Sequence, residues 1–276
     1  MTIPSIALND GNHIPLLGLG TYKTPADTTA EVVGEAIRLG YRHIDTAALY
    51  GNEAGVGRAV RDSGLPRSEF FVTTKVWNTE QGAAKTAAAF EKSMDELGLD
   101  TVDLYLIHWP CPGNDLYVDT WRELERIRES GRARSIGVSN FAPEHLERLA
   151  QETSIKPVLN QIELHPALQQ REIVDYCREH GIEIESWGPL GQGKYPLLEM
   201  PEITAAAAAH GKTPAQVVLR WHVQQRFIVF PKSTSPARLA ENMDVFDFAL
   251  SDAEMAAITA LESGRRGGPD PREFNA

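Results

Sequence analysis

Eight short runs rich in β-branched and aromatic residues recur along the chain, each separated from the next by a longer amphipathic stretch. This alternation restricts the fold more than any other feature. The runs are 16–20 (LLGLG), 41–45 (YRHID), 70–75 (FFVTTK), 102–108 (VDLYLIH), 133–139 (ARSIGVS), 157–162 (PVLNQI), 182–187 (IEIESW) and 227–232 (FIVFPK). Strands that alternate with helices are joined by crossovers and pair in parallel. Eight such units in 276 residues match an α/β fold of the (β/α)8 TIM barrel type, read here as one domain over 1–276. Helical patterns cover 28–40, 83–98 and 142–153, and Gly40, Gly98, Gly131 and Gly181 stand where left-handed helix ends are expected. Two helical stretches precede the eighth strand, the second opening on Thr213-Pro214 as cap and first turn. An N-terminal β-hairpin turning at Asp10-Gly11 comes before the first barrel strand. At the other end, 251–263 reads as an extra C-terminal helix and the Gly/Pro-rich 264–276 as a mobile tail.

A net charge of −11 repels phosphate backbones and anionic membranes, so neither nucleic acid nor membrane is an expected partner. No 18-residue apolar run is present, and the first residues lack the basic and apolar regions of a signal peptide; a soluble cytoplasmic protein is expected. Cys111 and Cys177 have no partner at metal or redox spacing, so both read as free thiols and no metal site is expected.

Parallel barrels carry their chemistry at the C-terminal ends of the strands. Here the second run ends at Asp45 with Tyr50 in the following loop, the third at Lys75 and the fourth at His108. The fifth ends on Ser139-Asn140, the sixth carries Asn160 and Gln161, the seventh ends at Trp187 and the eighth on Lys232-Ser233. Lys75 follows a strand that looks buried, and a buried ammonium needs a charge partner; Asp45, one strand over, is the nearest candidate. A cation there is expected to lower the pKa of Tyr50, ordinarily about 10, and make it a usable general acid. His108 is then placed to donate a hydrogen bond to a carbonyl oxygen. An acid and an oxygen-polarising donor, without an activated nucleophile, suit hydride addition to C=O, and the hydride must come from a cofactor.

Rival motifs fall short. GPLGQGKY (188–195) matches a phosphate-binding loop as far as Lys194, but Tyr195-Pro196 replace the hydroxyl residue and the helix that should follow. GLGTYK (18–23) lacks a third glycine and reads as a strand end open to ligand approach, and GVSNF (137–141) is no nucleophile elbow. Glu163 and Glu185 could be a glycosidase pair, which would leave the Asp, Tyr, Lys and His set unexplained.

The ordered motifs GYRHIDTAALYGNE, TTKVWN, DLYLIHWP, SIGVSNF, NQIELHP, ESWGPLGQGK and FPKSTSPARLAENMDVFDF span nearly the whole chain up to residue 262. In them the chain resembles the aldo-keto reductases, and within these the bacterial 2,5-diketo-D-gluconate reductases. The resemblance implies a catalytic tetrad of Asp45, Tyr50, Lys75 and His108, and NADPH extended across the barrel top. It implies Ser139, Asn140 and Gln161 at the nicotinamide carboxamide, Trp187 stacked on the ring, and Leu190 and Gly191 along the cofactor. Lys232, Ser233 and Arg238 would grip the 2′-phosphate, with Glu241 and Asn242 at the adenine. Ser235 replaces a basic residue of close relatives, which leaves NADH as a weaker alternative. Tyr22, Trp77, Asn78 and Trp109 would wall the substrate pocket, with the tail nearby. The short CPGNDLYVD loop implies an open site for small hydrophilic carbonyl compounds: keto-sugar acids such as 2,5-diketo-D-gluconate, dicarbonyls or α-keto compounds. His108 stands where steroid double-bond reducers of the family carry glutamate. A monomer is the family's common state. An NADPH-binding regulatory channel subunit with little turnover is the alternative, and turnover separates the two.

Overall fold

Alternate residues of a strand face opposite sides, and closing a parallel sheet turns one side into a packed interior and the other toward helices. The computed structural model, which describes residues 3–276, carries this out. A hairpin of β1 (Ser5–Ala7) and β2 (His13–Pro15) comes first. The barrel strands are β3 (Leu19–Gly20), β4 (His43–Asp45), β5 (Phe71–Val76), β6 (Val102–Ile107), β7 (Ala133–Ser139), β8 (Leu159–Glu163), β9 (Glu183–Trp187) and β10 (Ile228–Val229). All pair in parallel and in chain order, and each lies in or within a residue of an expected run.

The first and last strands are shorter than expected because they meet across a seam of isolated bridges, Leu17 with Val229 and Gly20 with Lys232. Gly18 N–H donates to Val229 O at 2.8 Å and Val229 N–H to Leu16 O at 2.9 Å, closing the cylinder. The glycines of GLGTYK serve this closure. A Cβ on Gly20 would stand 2.8 Å from Phe230 O, and the space beside Gly18 is filled by the His43 ring, so of the two only Gly20 meets the expectation of a ligand-accessible backbone.

The crossovers are α1 (Thr29–Leu39), α2 (Glu53–Asp62), α3 (Ala83–Leu97), α4 (Tyr117–Glu129), α5 (Pro143–Glu152), α6 (Arg171–Glu179) and the pair α7 (Pro201–His210) and α8 (Pro214–Gln224). Two more, α9 (Pro236–Met243) and α10 (Asp252–Thr259), follow β10. In α3, Phe90, Met94 and Leu97 recur at helical spacing and are buried. Gly40, Gly98, Gly131 and Gly181 all have positive φ, as expected of helix ends. At the start of α8, Thr213 Oγ1 accepts from Gln216 N–H at 3.3 Å and Gln216 Oε1 accepts from Thr213 N–H at 2.9 Å, a reciprocal cap. No helix among the described residues is long and apolar enough to cross a membrane.

The hairpin covers the N-terminal end of the barrel. Asp10 accepts hydrogen bonds from Ser135 Oγ at 2.7 Å and Asn12 N–H at 3.0 Å, and Asn9 Nδ2 donates to Pro157 O and Gly181 O at 2.9 and 3.1 Å. These partners lie at or just before the starts of β7, β8 and β9, which leaves the opposite mouth free for chemistry.

Gly57 tests the packing. On an exposed helix, Gly→Ala stabilises by about 1 kcal/mol. A Cβ on Gly57 of α2, however, would stand 1.7 Å from Leu97 O of α3. We expect Gly57→Ala to destabilise by about 2 kcal/mol or more, read from urea unfolding midpoints; a raised midpoint would refute this helix contact.

Candidate active site

Lys75 stands one residue before the end of β5 and has no solvent exposure. Its Nζ donates to Asp45 Oδ1 at 2.7 Å, Asp45 Oδ2 at 2.8 Å and Thr46 O at 2.8 Å, engaging all three ammonium hydrogens. The pair expected from strand order is therefore formed. Asp45 Oδ2 also accepts from Gln161 Nε2 at 2.8 Å.

Tyr50 ends a short 3-10 turn, Ala48–Tyr50, with the Lys75 ammonium 5.3 Å from its ring centroid. The expected fall in its pKa is not found. Burial first, and then the negative charge of Asp45, push the hydroxyl well above its ordinary 10. Asp45 matches the charge of Lys75 and takes two of its hydrogens, so the phenol faces a neutral pair rather than a free cation. Tyr50 is thus a phenol that keeps its proton. The ring of Tyr50 lies edge-on to that of His108 at 5.8 Å, and Trp77 contacts the same imidazole at 5.0 Å. Burial, with Lys75 adding to it, holds His108 well below the usual imidazole range, so it is neutral; its Nδ1 is buried without a partner.

These groups border a cavity of about 590 Å3 at the C-terminal mouth. Asp45, Tyr50, His108, Ser139, Asn140, Gln161, Trp187, Leu190, Lys232, Tyr22, Trp77 and Trp109 line it, as expected. Lys75 lies behind Asp45. Gly191, Ser233, Arg238, Glu241 and Asn242 lie outside the lining, the last three on α9. Asn78, expected in the substrate wall, is behind it, with its Nδ2 donating to Ala276 O at 2.7 Å.

Neighbouring strands order the polar row. Ser139 is in register with Gln161, and Gln161 with Glu185. Ser139 Oγ donates to Gln161 O at 2.8 Å. Asn140, at φ +63°, donates from Nδ2 to His108 O at 3.0 Å and accepts Trp187 Nε1–H on Oδ1 at 2.8 Å. Lys232 and Arg238 are exposed, and among the described residues neither forms an ion pair. Two unmatched cations flanking the start of α9 form a donor set suited to a phosphate dianion. Ser233 Oγ accepts from Ser235 N–H at 3.1 Å, Glu241 Oε1 accepts from Thr213 Oγ1 at 2.6 Å, and Asn242 is buried.

The tail packs along the mouth, near the pocket as the resemblance implied. Phe274 lies 4.7 Å from the Trp109 ring, and Asn275 Oδ1 accepts from Gly113 N–H at 2.6 Å. The N–H groups of Gly267 and Gly268 donate to Glu163 Oε1 and Oε2 at 2.7 and 2.8 Å, while Lys194 bonds Gly267 O. A Cβ on Gly268 would stand 2.6 Å from the Trp187 ring, so this glycine marks close approach rather than a flexible linker. Phe274, Gly267 and Gly268 are cavity residues that sequence patterning missed, as is Leu49 on the rim. The rival motifs find no support. Neither Glu163 nor Glu185 lines the cavity, and 188–195 runs into Pro196 with only short 3-10 turns, and no α-helix, before α7.

Comparison with known proteins bears on this arrangement. The Aldo/keto reductase family model matches residues 16–263. The chain is 50% identical over 273 residues to the methylglyoxal reductase DkgA of Yersinia pestis, covering 99% of this chain and 98% of the relative. It is 49% identical over 271 residues to the glyoxal reductase of Bacillus subtilis, covering 98% and 97%. The crystal structure of a Gox0644 mutant in complex with NADPH matches with a TM-score of 0.94 at 49% identity, covering 99% of this chain and 98% of that one.

The central ion pair can be weighed directly. Lys75→Met leaves the buried Asp45 carboxylate without a cation, an expected loss of about 3–5 kcal/mol. Adding Asp45→Asn to Lys75→Met should restore part of it. A double-mutant cycle from urea unfolding reads the coupling, and strictly additive losses would contradict the pairing.

Proposed function

The chain belongs to the aldo/keto reductase family, and from that premise we propose that it is an NADPH-dependent reductase of small carbonyl compounds. The observation that carries this is the grouping of a protonated phenol, a neutral imidazole and the indole of Trp187 on one cavity above a sealed Lys75–Asp45 pair.

When bound, NADPH supplies the hydride that the carbonyl carbon accepts. Ser139, Asn140 and Gln161 hold the carboxamide, and Trp187 gives the ring a flat wall. Leu190 and Gly191 border the cofactor, and Glu241 and Asn242 lie at the adenine. Lys232 and Arg238, with Ser233, grip the 2′-phosphate through charge-assisted hydrogen bonds, which favours NADPH over NADH.

His108, being neutral and with Nδ1 sealed away, donates from Nε2 to the substrate oxygen. Tyr50 delivers a proton to that oxygen as charge develops. Its raised pKa keeps the proton in place at neutral pH, and an alkoxide is a stronger base than a phenolate, so transfer runs toward the alcohol. Lys75, held in position by Asp45, is the cation nearest the ring, 5.3 Å from its centroid. Tyr22, Trp77, Trp109 and Phe274 leave a compact space with a polar centre, suited to small substrates. The names of the two reductase relatives favour dicarbonyls such as methylglyoxal and glyoxal. Keto-sugar acids such as 2,5-diketo-D-gluconate follow from the motif resemblance.

Loss of cofactor absorbance should accompany addition of methylglyoxal, glyoxal or a keto-sugar acid to protein and NADPH. No turnover with any of them would end the reductase proposal. Tyr50→Phe should lower kcat by about 10²–10⁴-fold; wild-type rates would remove its role as acid. Lys232→Ala with Arg238→Ala should raise the KM for NADPH by about tenfold or more while leaving that for NADH nearly unchanged. Equal changes for both cofactors would sink the 2′-phosphate assignment.

A further inference from the structure

Beneath the tetrad lies a second buried carboxyl that none of these steps uses. Glu185, on β9 in register with Gln161 and Ile228, has no solvent exposure. Its Oε2 accepts from Gln161 Nε2 at 2.7 Å, while the same nitrogen donates its other hydrogen to Asp45 at 2.8 Å. With both amide hydrogens taken, Gln161 keeps only its Oε1 for a ligand in the cavity. The other oxygen of Glu185 is buried without a hydrogen-bond partner, 3.4 Å from a His43 Nε2 that also lacks one.

Two buried carboxyls sharing one amide, with a single ammonium nearby that bonds only one of them, do not both ionise readily. Asp45 receives two hydrogen bonds from Lys75 and one from Gln161, whereas Glu185 receives only that from Gln161. The proton therefore rests on Glu185, within reach of His43. Burial first, and then the charge of Asp45, push the Glu185 carboxyl up to about 8. The titratable groups around it are His43 and Asp45 from β4, Lys75 from β5 and Tyr50 from its turn; its β10 partner, Ile228, is apolar. His43 is held down at about 3 and Tyr50 well above 10. Neither changes charge where Glu185 does.

We propose that Glu185 is a positioning residue acting through Gln161, one that makes binding of the oxidised nicotinamide, but not of the reduced one, proton-linked. This rests on the NADPH assignment above. The two cofactor states differ by one positive charge on the ring, and Gln161 is the group that spans ring site and Glu185. A neutral Glu185 distinguishes them little; an ionised one adds negative charge in a low-dielectric site and favours the cationic ring. The oxidised cofactor lowers the carboxyl's pKa below that of the free protein, so it expels the proton on binding. Preference for NADP+ over NADPH is then flat at low pH, rises as pH climbs through the pKa of the complex, and levels off above the free value of about 8.

The test measures Kd for NADP+ and for NADPH by quenching of tryptophan fluorescence between about pH 6 and about pH 9. Phosphate ionisation is common to both and cancels in the ratio. The wild-type ratio should shift toward NADP+ by roughly tenfold, the equivalent of one pKa unit. Glu185→Gln, which keeps the shape and an acceptor, should flatten it. Calorimetry of the wild type in two buffers of different ionisation enthalpy, at about pH 7.5, needs no variant. It should detect more proton release with NADP+ than with NADPH. A pH-independent ratio, equal proton release with both forms, or an unchanged slope in Glu185→Gln would overturn the role of Glu185 while leaving the cofactor assignment intact. Failure of either form to bind would overturn both.

Discussion

A lysine ammonium sealed inside a barrel survives only if its charge and all its hydrogens are answered at once, and everything at this mouth is arranged around that demand. Lys75 takes two oxygens of Asp45 and the Thr46 carbonyl, which binds β5 to β4 and its following loop. Asp45 then draws in Gln161 from β8, and Gln161 draws in Glu185 from β9. One buried charge thereby fixes groups on four strands beside the cavity at the C-terminal mouth. A network of this kind contributes less to net stability than to the uniqueness of its geometry, because the ions' desolvation offsets most of their attraction.

The barrel was legible because its signal is periodic: short β-rich runs recur eight times, and from the second onward each carries a polar or aromatic residue at or near its C-terminal end. The grouping of Asp45, Tyr50, Lys75 and His108 was legible for a related reason, since parallel order places neighbouring strand ends side by side. What strand order could not supply was the solvation and occupancy of each group. Tyr50 looked like a phenol beside a free cation, but Lys75 has no hydrogen left for it, and burial moves its proton affinity the other way. Asn78 follows a catalytic strand and looked like pocket wall, yet its amide serves the tail. In the sequence Glu185 reads only as half of an unsupported acid pair, because its link to Gln161 depends on which way two side chains turn.

The tail was the least legible part. Gly267 and Gly268 carry the composition of a linker, but their small size lets two backbone N–H groups reach Glu163 while passing Trp187. Composition cannot separate a glycine that is loose from one that is closely approached.

The packed tail has a further consequence. Residues 264–276 follow every barrel strand in the chain, so one wall of the pocket is encoded apart from the strands that carry its central ion pair. The tail wall and the buried pair are thus separate in sequence although they border one cavity. Inheritance can act on them separately: changes around Phe274 reshape the cavity wall, while the groups beneath, encoded far upstream, stay as they are.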